Sequence, residues 1–272
     1  MELSISAWCL QKKLYSGEMN IFDFINFCNI NGVKNVELLD CFLSNNVNDC
    51  IKLLDNLDMK VSSYSIGNDF VYNEEQKRKE ELQSTLKGID TAVKLKAKYM
   101  RVFSGNVKDN ISYNQGREWI LSSFKEAAKY AEEKGVIMVL ENHGFFAGKS
   151  NQVKEIIEYV GSPNLRANTD VGNFLLVEEN PLEAVKNLHE YVSFVHFKDF
   201  KYVGDAESVY QSVSGKHYQG TILGQGDVPL KEVVDYLYSK GYNGYLSIEY
   251  EGVGDPLTET SNCIKYANSI IK

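Results

Sequence analysis

The chain has 272 residues, of which 43% are hydrophobic, and a formal net charge of −8. That acidity argues against nucleic acid, whose binding needs clustered Lys and Arg, and no run approaches the roughly 18 consecutive apolar residues of a membrane span. Small-molecule chemistry is the field left open. The opening MELSISAWCL carries an acid where a secretory signal has a basic region, so no such signal is expected. Five scattered cysteines without a CxxC pair suggest reduced thiols in a cytoplasmic protein.

In chain order, short apolar runs suited to buried strands lie near residues 2–8, 33–39, 59–65, 98–103, 135–141, 165–170, 192–197 and 243–249. Amphipathic stretches alternate with them near 19–31, 46–57, 74–96, 114–134, 150–160, 181–189, 229–240 and 256–271. In REWILSSFKEAAKYAEEKG, residues Trp119, Ile120, Phe124, Ala127, Ala128 and Ala131 recur at helical spacing, and Gly135 supplies the stop. Ser150 and Asp227 read as helix caps, with Pro229 two positions after the latter. Strand-then-helix units repeated eight times, with no linker between them, predict one α/β domain over residues 1–272, a closed (β/α)8 TIM barrel. An open doubly wound sheet would place a glycine-rich turn after its first strand, and SAWCLQKKLYSG has none.

Barrels of this kind assemble their sites at the C-terminal ends of the strands. At those positions the second run offers Glu37, and the fifth, in MVLENHG, offers Glu141, Asn142 and His143. The sixth offers Asp170 and Asn173, the seventh His196, Lys198 and Asp199, and the eighth Glu249 and Glu251. Glu141, Asp170, His196 and Glu249 form a three-carboxylate, one-imidazole shell suited to one divalent metal, Mn²⁺ first, with Co²⁺, Mg²⁺ and Zn²⁺ as alternatives. Three anions brought together repel unless a cation lies between them. Strand parity gives His143 the same side as Glu141, as a substrate-side donor, and leaves Asn142 to hydrogen-bond in the wall. Lys198 shares the side of His196 and is read as holding a substrate oxygen. Glu37 is read as the partner of a substrate hydroxyl.

Over nearly its whole length the sequence resembles the sugar phosphate isomerase/epimerase family with the xylose-isomerase-like TIM barrel. The anchors are VEL at 36–38, RVFSG at 101–105, LENHG at 140–144, TDVGNF at 169–174, VHFKD at 195–199, GQGDVPL at 224–230 and GYLSIEYEG at 244–252. The resemblance implies that Glu141, Asp170, His196 and Glu249 are metal ligands and that the two glutamates act as acid and base. Several epimerases of the family carry a histidine where this chain has Asn173. Asn173 is expected to hold a substrate oxygen without titrating.

The expected activity is isomerisation or epimerisation of a sugar, sugar phosphate or related polyol ketone, by proton transfer through a metal-stabilised enediolate. A lyase of the inosose dehydratase type, using the same site, is the alternative. The related endonuclease with a trinuclear zinc site needs more histidines than the four present. Residues 200–227 exceed what a barrel connection needs and are expected to cover the site. Within them GQGD reads as a tight turn capped by Asp227, not as a phosphate cradle. The expected partner is a small-molecule sugar, with neither nucleic acid nor membrane, and association into a homo-oligomer is open.

Overall fold

A computed structural model describes residues 1–43, 46–204 and 210–272. Seven parallel strands run in chain order around a barrel: β1 (Glu2–Ser6), β2 (Asn35–Leu39), β3 (Lys60–Ser65), β4 (Tyr99–Val102), β5 (Ile137–Glu141), β6 (Leu165–Asp170) and β7 (Val192–Phe197). A small antiparallel sheet follows, made of β8 (Phe200–Gly204), β9 (Tyr210–Gln211) and β10 (His217–Gly220). The last barrel strand, β11 (Tyr245–Ile248), pairs with both β7 and β1 and closes the ring. The expected TIM barrel is the observed fold.

The helices stand where amphipathic spacing puts them, for example Glu75–Lys94, Tyr113–Lys134, Ser150–Val160 and Leu230–Ser239. In Tyr113–Lys134 the Ser112 hydroxyl accepts the Gln115 N–H at 3.3 Å, and Gly135 ends the helix in the left-handed region. Two expected caps are corrected. Ser150 is the first residue inside its helix, and its hydroxyl donates to Glu179. Asp227 precedes its helix by too much to cap it and instead accepts the Tyr202 N–H at 2.6 Å. Among the described residues no helix is long and apolar enough to cross a membrane.

Alternation along the strands sorts side chains between two environments. Val36, Leu38, Met100, Val102, Met138 and Leu140 join the main core under the helices. Tyr99, Val139 and Phe194 form a separate cluster, the apolar floor of the barrel interior. Further up the interior, Ser4 and Ser62 exchange a hydroxyl hydrogen bond of 2.6 Å, and Ser247 donates to Glu37 at 2.7 Å. The interior thus passes from aromatic to hydroxyl to charged towards the C-terminal mouth. Hydroxyl donors are what a buried carboxylate requires, because an unpaired one is costly.

Of the excursion at 200–227, residues 205–209 lie outside the described residues, and the rest is the small sheet and the turn leading to the next helix. Asp199 organises that turn. Its carboxylate accepts the N–H groups of Gly224 and Gly226 at 2.9 Å each and of Val228 at 3.1 Å. A Cβ on Gly226 would lie 2.2 Å from Asp199 Oδ1, so only glycine fits there. Burial pushes the Asp199 carboxyl up to about 6, against the pull of the three N–H groups. Asp199→Asn leaves one oxygen for three donors. The expected loss is about 2 kcal/mol of stability, read by denaturant unfolding; an unchanged midpoint would show that the turn does not depend on this carboxylate.

Candidate metal centre

Four strand ends converge at the mouth. Glu141 and Asp170 are the last residues of β5 and β6, His196 is the penultimate residue of β7, and Glu249 directly follows β11. Each offers one ligand-type atom, and these atoms all lie within 4.8 Å of one another. All four side chains are buried.

The imidazole fixes the polarity of the set. His196 Nε2 lies 2.9 and 3.1 Å from the two oxygens of Glu37. A carboxylate only accepts, so Nε2 carries the hydrogen and Nδ1 is left as a donor atom for a metal. Nδ1 makes no hydrogen bond and sits 3.3 Å from Glu141, 3.5 Å from Glu249 and 3.9 Å from Asp170. Burial opposes a charge on this ring, yet Glu249, Glu37 and Glu141 outweigh burial and push it well above the ordinary histidine value. The site calls for positive charge at this point, whether a proton or a metal ion brings it.

Glu37 requires a correction. It is the middle residue of β2, not its end, and is fully buried. Its oxygens are engaged by His196, by Ser247 and by Ser65 at 2.5 Å. It orients the imidazole from below and does not reach a substrate hydroxyl.

The other expected residues lie at the mouth. A cavity of about 340 Å³ opens there, lined in part by Glu141, Glu249, His143, Asn173 and Lys198. His143 is exposed and packs its ring 4.8 Å from that of Phe103. Asn142, by contrast, is in the wall: its amide donates to the Asp170 carbonyl at 2.9 Å and accepts the Asp170 N–H at 2.7 Å, tying β5 to β6. Asn173 donates to Glu141 at 3.3 Å and to the Asn142 carbonyl at 3.1 Å. The Lys198 ammonium is buried among Glu249 at 2.6 Å, Asp170 at 2.9 Å and Glu251 at 3.1 Å.

Arg101 and Trp8 enter the site without having been assigned a role in it from sequence, and Glu251, which shares the side of Glu249 and was its alternative as a ligand, takes another place. Arg101, inward-facing on β4, places Nε 3.3 Å from Glu141, donates to the Ile66 carbonyl at 2.9 Å and lies 3.9 Å over the Phe103 ring. Its signal was a single charged residue in the buried strand YMRV. Glu251 is outside the four-donor set but accepts from Lys198 and, at 2.5 Å, from Trp8 Nε1. Trp8 faces the mouth because β1 ends at Ser6 and a 3₁₀ turn, Ala7–Leu10, follows.

These neighbours leave the two glutamates unequal. Burial resists ionisation of Glu141, but His196 and Arg101 overcome it and hold the carboxyl well below the usual range. Burial pushes Glu249 up to about 7 despite the pull of His196 and Lys198, and Glu141 and Glu251 add to the rise. Environments that separate two carboxyls in this way are a basis for acid and base roles.

The barrel, with its mouth built from strand-end carboxylates and one imidazole, is that of a known family. The chain belongs to the xylose isomerase-like TIM barrel family, whose model matches residues 30–267. A curated relative, the uncharacterised protein YihM of Escherichia coli strain K12, is 23% identical over 139 residues, which are 51% of this chain and 38% of YihM. The chain therefore matches well under half the length of that relative. Among solved structures, the probable 3-DHS dehydratase AsbF of Bacillus anthracis aligns with a TM-score of 0.81 and 17% identity, over 98% of this chain and 99% of its own. The D-psicose 3-epimerase of Clostridium cellulolyticum H10, solved with D-tagatose, aligns with a TM-score of 0.78 and 15% identity over 100% of both chains. At these identities the likeness is one of fold.

The arrangement predicts graded metal binding. His196→Ala should abolish stoichiometric uptake of Mn²⁺ or Co²⁺. Glu37→Gln should weaken it by about 10–100-fold, because the imidazole loses the partner that orients it. Titration of metal-free protein followed by calorimetry checks both, and equal affinity in all three proteins would exclude this centre.

Proposed function

We propose that the chain is a divalent-metal-dependent isomerase or epimerase of a sugar, a sugar phosphate or a related polyol ketone. The observation that carries this reading is the pairing of Glu141 and Glu249 on one cavity, from β5 and the end of β11, inside a single four-donor set. The donor set fits a metal: His196 Nδ1 is buried, without a hydrogen bond, and faces three carboxylates. Glu141, Asp170, His196 and Glu249 would hold the ion, and three oxygens with one nitrogen favour Mn²⁺ or a similar cation. A divalent cation bound there supplies Lewis acidity towards a substrate carbonyl.

The chain's own groups then move the proton. Glu141, held ionised by its neighbours, takes a proton from carbon beside the carbonyl. Glu249 returns one to the opposite face or to the neighbouring carbon, and the roles exchange with direction. Arg101 and Asn173 fix the first carboxylate and Lys198 the second, so both are placed before substrate arrives. His143 and Asn173 are the polar groups assigned to substrate oxygens. The excursion after β7, which brings Tyr210 to the cavity, is read as a cover that limits water.

Water loss is the second reading, supported by the fold shared with a probable dehydratase. It begins with the same proton removal and continues with departure of a β-hydroxyl. In D₂O, metal-loaded protein should place deuterium beside the carbonyl of its substrate with no loss of water. Glu141→Gln and Glu249→Gln should each lower turnover by about 10²–10⁴-fold while metal is retained. A product lighter by one water selects the dehydratase, and full activity in either variant removes that glutamate from the proton transfer.

A further inference from the structure

Resting on the reading of this cavity as a ketone site, we propose that its substrate is uncharged: an unphosphorylated polyol ketone, not a sugar phosphate or a sugar acid. Among the described residues, the two buried cations at the mouth, Arg101 and Lys198, are already paired with the chain's own carboxylates, which leaves the exposed His143 as the basic side chain open to a ligand. Three basic side chains line the cavity, Arg101, His143 and Lys198. The Lys198 ammonium lies within 3.1 Å of three carboxylates. The Arg101 guanidinium is shared between Glu141 and the Ile66 carbonyl, with its face on Phe103. His143 packs against that same ring.

The balance of charge points the same way. Asp40, Glu141, Glu249 and Glu251 line the cavity, and Asp170 lies beneath it. Set against Arg101 and Lys198, these carboxylates leave the protein side of the mouth negative. Residues 44–45 and 205–209, outside the described residues, read Ser-Asn and Asp-Ala-Glu-Ser-Val and bring no Lys or Arg.

Backbone donors in three of the turns at the mouth are taken as well. Phosphate groups are held by N–H groups at turns and helix starts, in barrels often in the loops after the seventh and eighth strands. After the seventh strand, and in the turns after the third and sixth, the chain's own carboxylates occupy such donors. Asp199 takes Gly224, Gly226 and Val228, Asp170 takes Gly172 at 2.9 Å and Asn173 at 3.0 Å, and Asp40 takes Gly67 at 3.0 Å. What the cavity does present is aromatic surface from Trp8, Tyr15 and Phe103 and the amide of Asn173. These suit the C–H faces and hydroxyls of a neutral sugar.

Trp8 provides a readout that does not require turnover. The chain has two tryptophans, and the other, Trp119, lies on an outer helix under Arg78. In metal-loaded Trp119→Phe protein, Trp8 fluorescence is titrated with free ketohexoses and ketopentoses, with their phosphate monoesters and with inorganic phosphate. The free ketoses should bind at least about 100-fold more tightly than their esters, since like-charge juxtaposition is what discriminates. Inorganic phosphate should not compete. Asp40→Lys should narrow that ratio about tenfold by placing a cation at the mouth. Esters bound as tightly as free ketoses, or competition by inorganic phosphate, would overturn the proposal, and deuterium exchange into those esters would still leave the isomerase reading standing. Free ketoses that bind selectively but never exchange deuterium would support the uncharged substrate and remove the isomerase reading. Silence from every compound would overturn both.

Discussion

Three carboxylates and one imidazole nitrogen share a space 4.8 Å across, and the barrel mouth is organised around that repulsion. Two like charges about 4 Å apart cost about 4 kcal/mol at an effective dielectric near 20. A domain is stable by only about 5–15 kcal/mol, so two or three such pairs left uncompensated would threaten the fold. Compensation is visible on every side. Arg101 meets Glu141, Lys198 bridges Asp170 and Glu249, and Glu37 with its serine donors anchors the far nitrogen of His196. Positive charge at Nδ1 completes the arrangement, which is why the same geometry that looks destabilising reads as a metal centre.

Compensation from below explains the graded interior. An aromatic floor of Tyr99 and Phe194 excludes water, and serine hydroxyls then satisfy Glu37 without adding charge. The rim uses another device. Asp40, Asp170 and Asp199 each bind backbone N–H groups of a glycine-containing turn. A rim tied in this way holds Glu141 and Glu249 on fixed supports, and it also occupies backbone donors in three turns of the mouth.

Much of this was legible in the sequence, and the remainder has physical reasons for being hidden. Apolar runs ending in polar residues marked the strand ends, so Glu141, Asp170, His196 and Glu249 could be grouped by position in a repeating architecture. Depth along a strand was not legible. Glu37 was placed at an end, whereas β2 runs on to Leu39 and sinks it one layer into the barrel. Parity alone assigned Asn142 to the wall, where it ties β5 to β6. Contacts across the ring were the blind spot: Trp8 and Glu251 are 243 positions apart, and nothing local in either segment announces their hydrogen bond. The cap assigned to Asp227 failed for a related reason, since its carboxylate serves a strand 25 positions earlier.

The most direct measurement on the centre is a crystal structure of Mn²⁺-soaked protein with anomalous scattering. One peak is predicted, bonded to His196 Nδ1 and to oxygens of Glu141, Asp170 and Glu249 at about 2.1–2.3 Å, with Nε2 still donating to Glu37. A peak elsewhere, or none at saturating metal, would contradict the assignment of these four strand ends to a metal.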